Sequence, residues 1–156
     1  MEIYLVRHGI AEDGSRSGAD KDRRLTEEGR KKTSKMAAVL RDRVRDLGVI
    51  FHSPYVRAVE TAELFANEFR EAPMREVAYL TPYDPPEKVL ALLKESEHFR
   101  YVMLVGHNPY MGSLASLLLT GSAEPSILEF KKAGVAGIEW IGGRGKLTFF
   151  LSPKFI

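Results

Sequence analysis

The sequence contains no cysteine. A disulfide framework, a thiolate metal centre and a cysteine nucleophile are therefore excluded. Long apolar runs are also missing, so no segment reads as a bilayer span. The first residues lack the basic-then-apolar pattern of a secretory leader. Charge is close to balanced, with 23 Lys and Arg against 21 Asp and Glu and a formal net charge of +2. A nucleic-acid-binding protein carries a stronger basic patch than that, whereas a basic pocket in a nearly balanced chain points to a small anionic target. No internal repeat, low-complexity tract or linker interrupts the 156 residues, 44% of them hydrophobic and 28% charged. The expectation is one domain over residues 1–156, large enough for a real core. Its expected setting is the cytoplasm, with neither membrane nor nucleic acid as partner.

Apolar runs and turn residues alternate along the chain. Ile3-Tyr4-Leu5-Val6 reads as a buried strand and Val49-Ile50-Phe51 as a second. Glu76 to Leu80 gives a short third strand, and Tyr101 to Val105, the most apolar of all, a central fourth. Ala133–Ile141 and Leu147–Leu151 flank Gly142-Gly143-Arg144-Gly145 and predict a hairpin. Between the strands, Thr26 caps a helix carrying Met36, Val39, Leu40, Val44 and Leu47 and ending at Gly48. Pro54 starts a helix with Ala58, Ala62, Phe65 and Phe69 inward. Asp84-Pro85-Pro86 caps one with Val89, Leu92 and Leu93, and Asn108-Pro109 caps one with Leu114, Leu117 and Leu118. Residues 10–25 read as a mobile polar loop. Strands alternating with helices predict an α/β fold: a mainly parallel central sheet, helices on both faces and an antiparallel C-terminal edge hairpin.

Chemistry gathers where strands end. Arg7-His8-Gly9 follows the first strand, Ser53-Pro54-Tyr55-Val56-Arg57-Ala58 the second, and Gly106-His107-Asn108-Pro109 the central one. Open α/β sheets bind ligands outside the carboxyl ends of their strands, and two His with two Arg there form a phosphate-handling constellation. Taken singly, His8 or His107 reads equally well as a satisfied core histidine, and Arg57 as a solvated helix arginine. Metal ligation is the weaker alternative, because no His-x-x-x-His or Cys spacing is present and the arginines repel a cation. His52 reads as a strand-end core residue, His98 as a surface residue, and Arg30, Lys31 and Lys32 as a solvated helix face. Ser53 reads as a turn or cap residue within reach of the site.

The three motifs in order, each after a predicted strand, resemble the histidine phosphatase superfamily, whose other members include phosphoglycerate mutases. The small size, Leu25-Thr26-Glu27-Glu28-Gly29-Arg30, Leu80-Thr81-Pro82 and the Gly106-His107-Asn108-Pro109 form of the last motif narrow the resemblance to compact SixA-type phosphohistidine phosphatases. It runs from residue 3 to the final hairpin. It implies a phosphoglycerate mutase-like fold, no cofactor and no metal, with His8 as nucleophile and Arg7, Arg57, His107 and, less directly, Ser53 on the phosphate. Attack by an imidazole nitrogen needs the neutral ring, and nearby arginines depress a histidine pKa. His107 is expected across the phosphate, best as imidazolium, and the pH profile to be bell-shaped.

One departure from the mutase-like branch matters. There a Glu after the third strand protonates the leaving alkoxide, whereas this chain has Leu80-Thr81-Pro82-Tyr83-Asp84. Asp84, Glu12 and Asp13 are the remaining candidate acids. A protonated imidazole leaves far more easily than an alkoxide, so the gap favours protein phosphohistidine as substrate, with inorganic phosphate as product. The missing lid-forming insertion before Asp84 fits a phosphorylated side chain presented by a protein. The first rival is a phosphomonoesterase or pyrophosphatase acting on a small phosphorylated metabolite, which rapid turnover of a sugar or nucleotide phosphate would reveal. The second is a non-catalytic phosphoprotein-binding module, which would release no phosphate in a single turnover. A mutase is third.

Overall fold

Apolar side chains on both sides of a strand require cover on both faces, and this requirement organises the fold. The structure, a computed structural model, describes residues 1–44 and 46–156. Its strands are β1 (Glu2–Arg7), β2 (Val49–His52), β3 (Met74–Glu76), β4 (Tyr101–Gly106), β5 (Val135–Ile141) and β6 (Arg144–Leu151). They form one six-stranded sheet in the order β3-β2-β4-β1-β5-β6. β1 to β4 are parallel, and β5 and β6 are antiparallel additions beside β1. The helices are α1 (Glu27–Arg41), α2 (Val56–Glu68), α3 (Val89–Glu95) and α4 (Tyr110–Thr120). Among the described residues no helix is long and apolar enough to cross a membrane.

Successive strand side chains point to opposite faces, so each apolar run serves two cores. Tyr4, Val6, Ile50, Met103 and Val105 pack with Met36 and Leu40 of α1 and Phe65 of α2. Ile3, Leu5, Val49, Phe51, Val102 and Leu104 pack with Leu93 of α3 and Leu114 and Leu118 of α4. β4 is central, as its composition predicts.

Strand register levels the functional loops. Arg7 pairs with Gly106 and His52 with Val105, so the next residues, His8, His107 and Ser53, leave three adjacent parallel strands at nearly one height. The His8 N–H donates to the Gly106 carbonyl at 2.9 Å and the Ser53 N–H to the Val105 carbonyl at 3.0 Å, continuing the ladder one step past the strands.

Several local expectations are corrected. α1 ends at Arg41 instead of running to Gly48, while Val44 and Leu47 are buried from the segment that follows; Arg45, inside the predicted helix, lies outside the described residues. The third strand is Met74–Glu76, not Glu76–Leu80; Val77 and Leu80 are buried through a turn, the Leu80 N–H donating to the Val77 carbonyl. Apolar spacing reports burial, and a turn buries side chains as well as a strand or helix does. Pro54 precedes α2 without starting it: Ser53 Oγ accepts the Tyr55 N–H at 3.2 Å, and Tyr55 becomes the N-cap. Asp84 caps nothing, since a 3-10 turn from Pro86 precedes α3 and its carboxylate holds Thr81 and Lys88. Asn108 does not cap α4; its Nδ2 donates to the Phe130 carbonyl at 3.0 Å and Pro109 takes the cap position. The hairpin turn is shorter than predicted, with only Gly142 and Gly143 between the strands. Their φ values of 57° and 81° are left-handed, which glycine adopts without strain.

Candidate active site

The structure brings together Arg7, His8, Ser53, Arg57 and His107. His8 is 6% exposed, His107 1%, Arg57 3% and Ser53 fully buried. The two imidazole centroids are 5.1 Å apart. Tyr55, a residue the sequence did not single out, lies 4.9 Å from the His107 ring and 5.1 Å from the Arg57 guanidinium carbon.

The hydrogen bonds assign the protons. His8 Nδ1 lies 2.7 Å from the Gly9 carbonyl oxygen, which can only accept, so Nδ1 carries the hydrogen and Nε2 the lone pair. Arg57 Nε donates to that Nε2 at 3.3 Å. The Gly9 N–H in turn donates to Thr61 Oγ1 at 3.0 Å, and the Thr61 hydroxyl donates to the Arg57 carbonyl at 2.7 Å, so α2 locks the loop after β1. Ser53 Oγ, already accepting from Tyr55, lies 2.7 Å from His107 Nε2. Donation of its proton to Nε2 satisfies both groups and puts the His107 hydrogen on Nδ1. Nδ1 is buried without a partner among the described residues, as is Arg7 Nε. A buried unpaired donor costs about 1–3 kcal/mol, a penalty that an oxyanion accepting from it would remove. Arg7 is aimed by Nη1 donating to the Phe130 carbonyl at 2.7 Å.

Burial, reinforced by the charges of Arg57, Arg7 and Lys132, holds the His8 pKa down to about 3, although its bond to Gly9 pulls the other way. Burial, then His8, Arg57 and Arg7, takes His107 to about 2. The expected direction for His8 holds, with burial rather than arginine the larger cause. The imidazolium expected at His107 belongs to the phosphate-bound site; without a dianion, burial and the neighbouring cations favour the neutral ring, whose Nδ1–H has no partner among the described residues. Nitrogen-detected NMR should therefore show both rings neutral from about pH 8 to pH 5, with His8 Nε2 the bare nitrogen; a midpoint near the ordinary 6.5 would contradict the burial argument. Unfolding exposes both rings to protonation, so stability falls as pH drops below 6.5 toward about 3, by about 1.4 kcal/mol per pH unit for each histidine.

The candidate acids stand apart. Asp84 is bonded to Thr81 and Lys88, and these bonds hold its carboxyl below the usual range. Glu12 lines a cavity with Arg16 and Asp22, and Asp13 another with Asp20 and Arg23. Among the described residues none of the three has a hydrogen bond or ion pair to either histidine. The acid that does reach the cluster is Asp20, which sequence reading missed: its backbone oxygen accepts from Arg57 Nη1 at 2.9 Å and its carboxylate from Nη2 at 3.1 Å. Asp20 also accepts from Arg23 Nε at 2.9 Å. In sequence it is one acid in a mixed-charge loop, and nothing local marks its distant partner. That loop is cross-bonded rather than loose, with Ala11 bridging Leu25 and a 3-10 turn at Asp20–Asp22. His52 is a buried strand-end residue and His98 is exposed, both as expected.

Glu60 was missed too. It is 4% exposed and accepts from Arg24 Nε at 2.8 Å, the Leu25 N–H at 2.7 Å and Arg30 Nη2 at 2.5 Å, so Arg30 is more than a solvated residue. Glu60→Ala strands the buried Leu25 donor, while the two exposed arginines turn to water. The expected loss is about 2 kcal/mol, a fall of roughly 4–8 °C in Tm. Calorimetry measures it, and an unchanged midpoint would contradict the role of the cluster.

An α/β sheet of this order, bearing paired histidines and arginines at adjacent strand ends, is the phosphoglycerate mutase-like fold. A family model described as the histidine phosphatase superfamily (branch 1) matches residues 3–81, and the chain belongs to that superfamily. It is 32% identical to an uncharacterized protein of Picosynechococcus sp. over 100% of this chain and 99% of the relative. It is 28% identical to phosphohistidine phosphatase SixA of Escherichia coli over 98% and 94% of the two chains. The solved structure of the protein histidine phosphatase SixA complexed with tungstate superposes with a TM-score of 0.87 at 24% identity, covering 99% of both chains. An alpha-ribazole phosphatase from Shigella flexneri gives 0.81 at 20% identity, covering 98% and 97%.

Proposed function

We propose that this phosphatase hydrolyses protein phosphohistidine through a covalent phosphohistidine intermediate on His8 Nε2. The observation that carries the reading is the His8 tautomer: a buried, neutral imidazole whose Nδ1–H is spent on Gly9, leaving the Nε2 lone pair beside Arg57. In the first step Nε2 bonds to phosphorus as the P–N bond to the substrate imidazole breaks; that ring, already protonated on its other nitrogen, keeps the electron pair and leaves as neutral imidazole. In the second, water attacks the phosphoryl group, its proton goes to solvent or phosphate, and Nε2 is regenerated. Splitting one displacement into two lowers the barrier of each. Arg7 and Arg57 clamp the charge that spreads over the phosphoryl oxygens, and the His107 Nδ1–H adds a directed donor. Ser53 acts through His107, holding its tautomer. Asp20 competes with the dianion for Arg57.

Substrate choice rests on the acids. Asp84 stays ionised between Thr81 and Lys88 and is a poor proton donor for an alkoxide. An imidazole leaving group needs no such acid. The E. coli relative named for phosphohistidine supports the same class. A cytoplasmic setting and a single domain over residues 1–156 fit this reading. No metal enters the mechanism, because the two guanidinium groups already carry the charge a cation would supply and repel one; a chelator should leave turnover unchanged, and a clear loss would bring a metal back. The deciding experiment compares steady-state hydrolysis of a phosphohistidine protein with a panel of sugar and nucleotide phosphates. Preference for phosphohistidine supports the proposal. Preference for one small ester would keep the site chemistry and overturn the substrate, leaving a metabolite phosphatase, the class to which the alpha-ribazole phosphatase sharing this fold belongs.

A further inference from the structure

Near the phosphate clamp lies a cleft of about 790 Å³ lined by Lys32, Lys131, Lys132, Lys154 and one carboxylate, Glu129, with Phe150 and Phe155 as apolar surface. None of the phosphate-clamp side chains lines it, but two of its lining residues adjoin that clamp in the chain or in space. Ile10, two residues after His8, lines it, and the Ala133 N–H next to Lys132 donates to the Arg7 and His8 carbonyls at 3.1 and 3.0 Å. Lys132 lies close enough to Arg7, Arg57 and His8 to act on them electrostatically. Lys131 is paired with Glu129 and Lys32 with Glu28. Among the described residues, Lys132 and Lys154 form no salt bridge, although the Asp13 carboxylate acts on Lys132 electrostatically. A chain of net charge +2 thus lines this cleft with four ammonium groups, two of them without a salt bridge. Phe155, 78% exposed, stands on the same rim with the Lys154 ammonium 5.8 Å from its ring centre.

Two lysines free of salt bridges, Lys132 and Lys154, beside exposed aromatic surface complement a segment that is acidic and apolar at once. We propose that the cleft is the docking surface for an acidic, aromatic-bearing segment of the phosphoprotein, flanking the phosphohistidine that enters between Arg7 and Arg57. This inference rests on the phosphohistidine reading, and the lysines add the discrimination among acceptor proteins that the phosphoryl pocket itself cannot make.

The test uses Lys154→Glu combined with Phe155→Ser, both exposed and outside the reaction centre, in the full chain. The probes are free phosphohistidine and a short synthetic peptide carrying phosphohistidine between glutamates and a phenylalanine. The double variant should raise KM for the peptide about tenfold, leave its kcat unchanged, and leave kcat/KM for free phosphohistidine unchanged. Equal losses on both substrates, or no change on the peptide, would overturn the proposal. Calorimetric binding of the unphosphorylated peptide separates the two readings. If the wild type hydrolyses no phosphohistidine yet binds the glutamate peptide and not a version with lysines in those places, the cleft assignment stands and the substrate assignment falls. If ATP binds the cleft and the peptide does not, the cleft takes small polyanions and the docking proposal is wrong.

Discussion

His8→Ala should lower kcat/KM by about 10⁵-fold or more, roughly 7 kcal/mol of transition-state stabilisation. The loss is large because no other described group offers a neutral nitrogen lone pair to the pocket: His107 Nε2 is engaged by Ser53, and both guanidinium groups are donors only. The rest of the clamp survives the substitution. Arg7 is still aimed by Phe130, Arg57 by Asp20 and His107 by Ser53. Competitive inhibition by inorganic phosphate on residual activity, or calorimetric binding of tungstate, should therefore change far less than kcat. Thermal melting of the variant separates lost chemistry from lost fold. A variant that folds, binds oxyanion and retains more than a few per cent of activity would remove His8 from the nucleophile's role.

Arg57→Lys should cost about 10²–10³-fold in kcat/KM. Arg57 does three things with one planar group: Nε meets His8 Nε2 while Nη1 and Nη2 hold Asp20. An ammonium is a point charge and cannot keep Asp20 placed while presenting a fork to phosphate. The charge is conserved in this variant, so a loss reports geometry. Tungstate affinity should drop alongside kcat. Near-wild-type kinetics in Arg57→Lys would mean that charge alone suffices and that the fork has no part in the reaction.

Much of this site was legible in the sequence because its main pieces sit at strand ends. Arg7-His8 and His107 each follow an unbroken apolar run, and β1 and β4 pair as immediate neighbours, so motif and geometry coincide. What sequence could not supply was anything that depends on a partner distant in the chain. Asp20 and Glu60 look like ordinary charged residues until α2 brings Arg57 beside one and the loop before α1 brings Arg24, Leu25 and Arg30 to the other. Thr26 caps α1 as expected, but the capping assignments at Asp84 and Asn108 failed for a related reason. Asp84 and Asn108 have the side chains that suit an N-cap, but Lys88 and the Phe130 carbonyl compete for them and win. The helix drawn through Val44 and Leu47, and the strand drawn through Val77 and Leu80, mistook burial for regular structure. Each of those residues is buried, and each lies in connecting chain.

The most direct measurement is to trap the enzyme during turnover of a phosphohistidine protein by rapid denaturation at alkaline pH, then locate the phosphoryl group by peptide mass spectrometry and phosphorus NMR. A single phosphoryl group on His8, linked through Nε2 and formed and lost at rates compatible with kcat, is the predicted result. Turnover with no phosphoryl group on the protein, or with one on His107, would contradict the account.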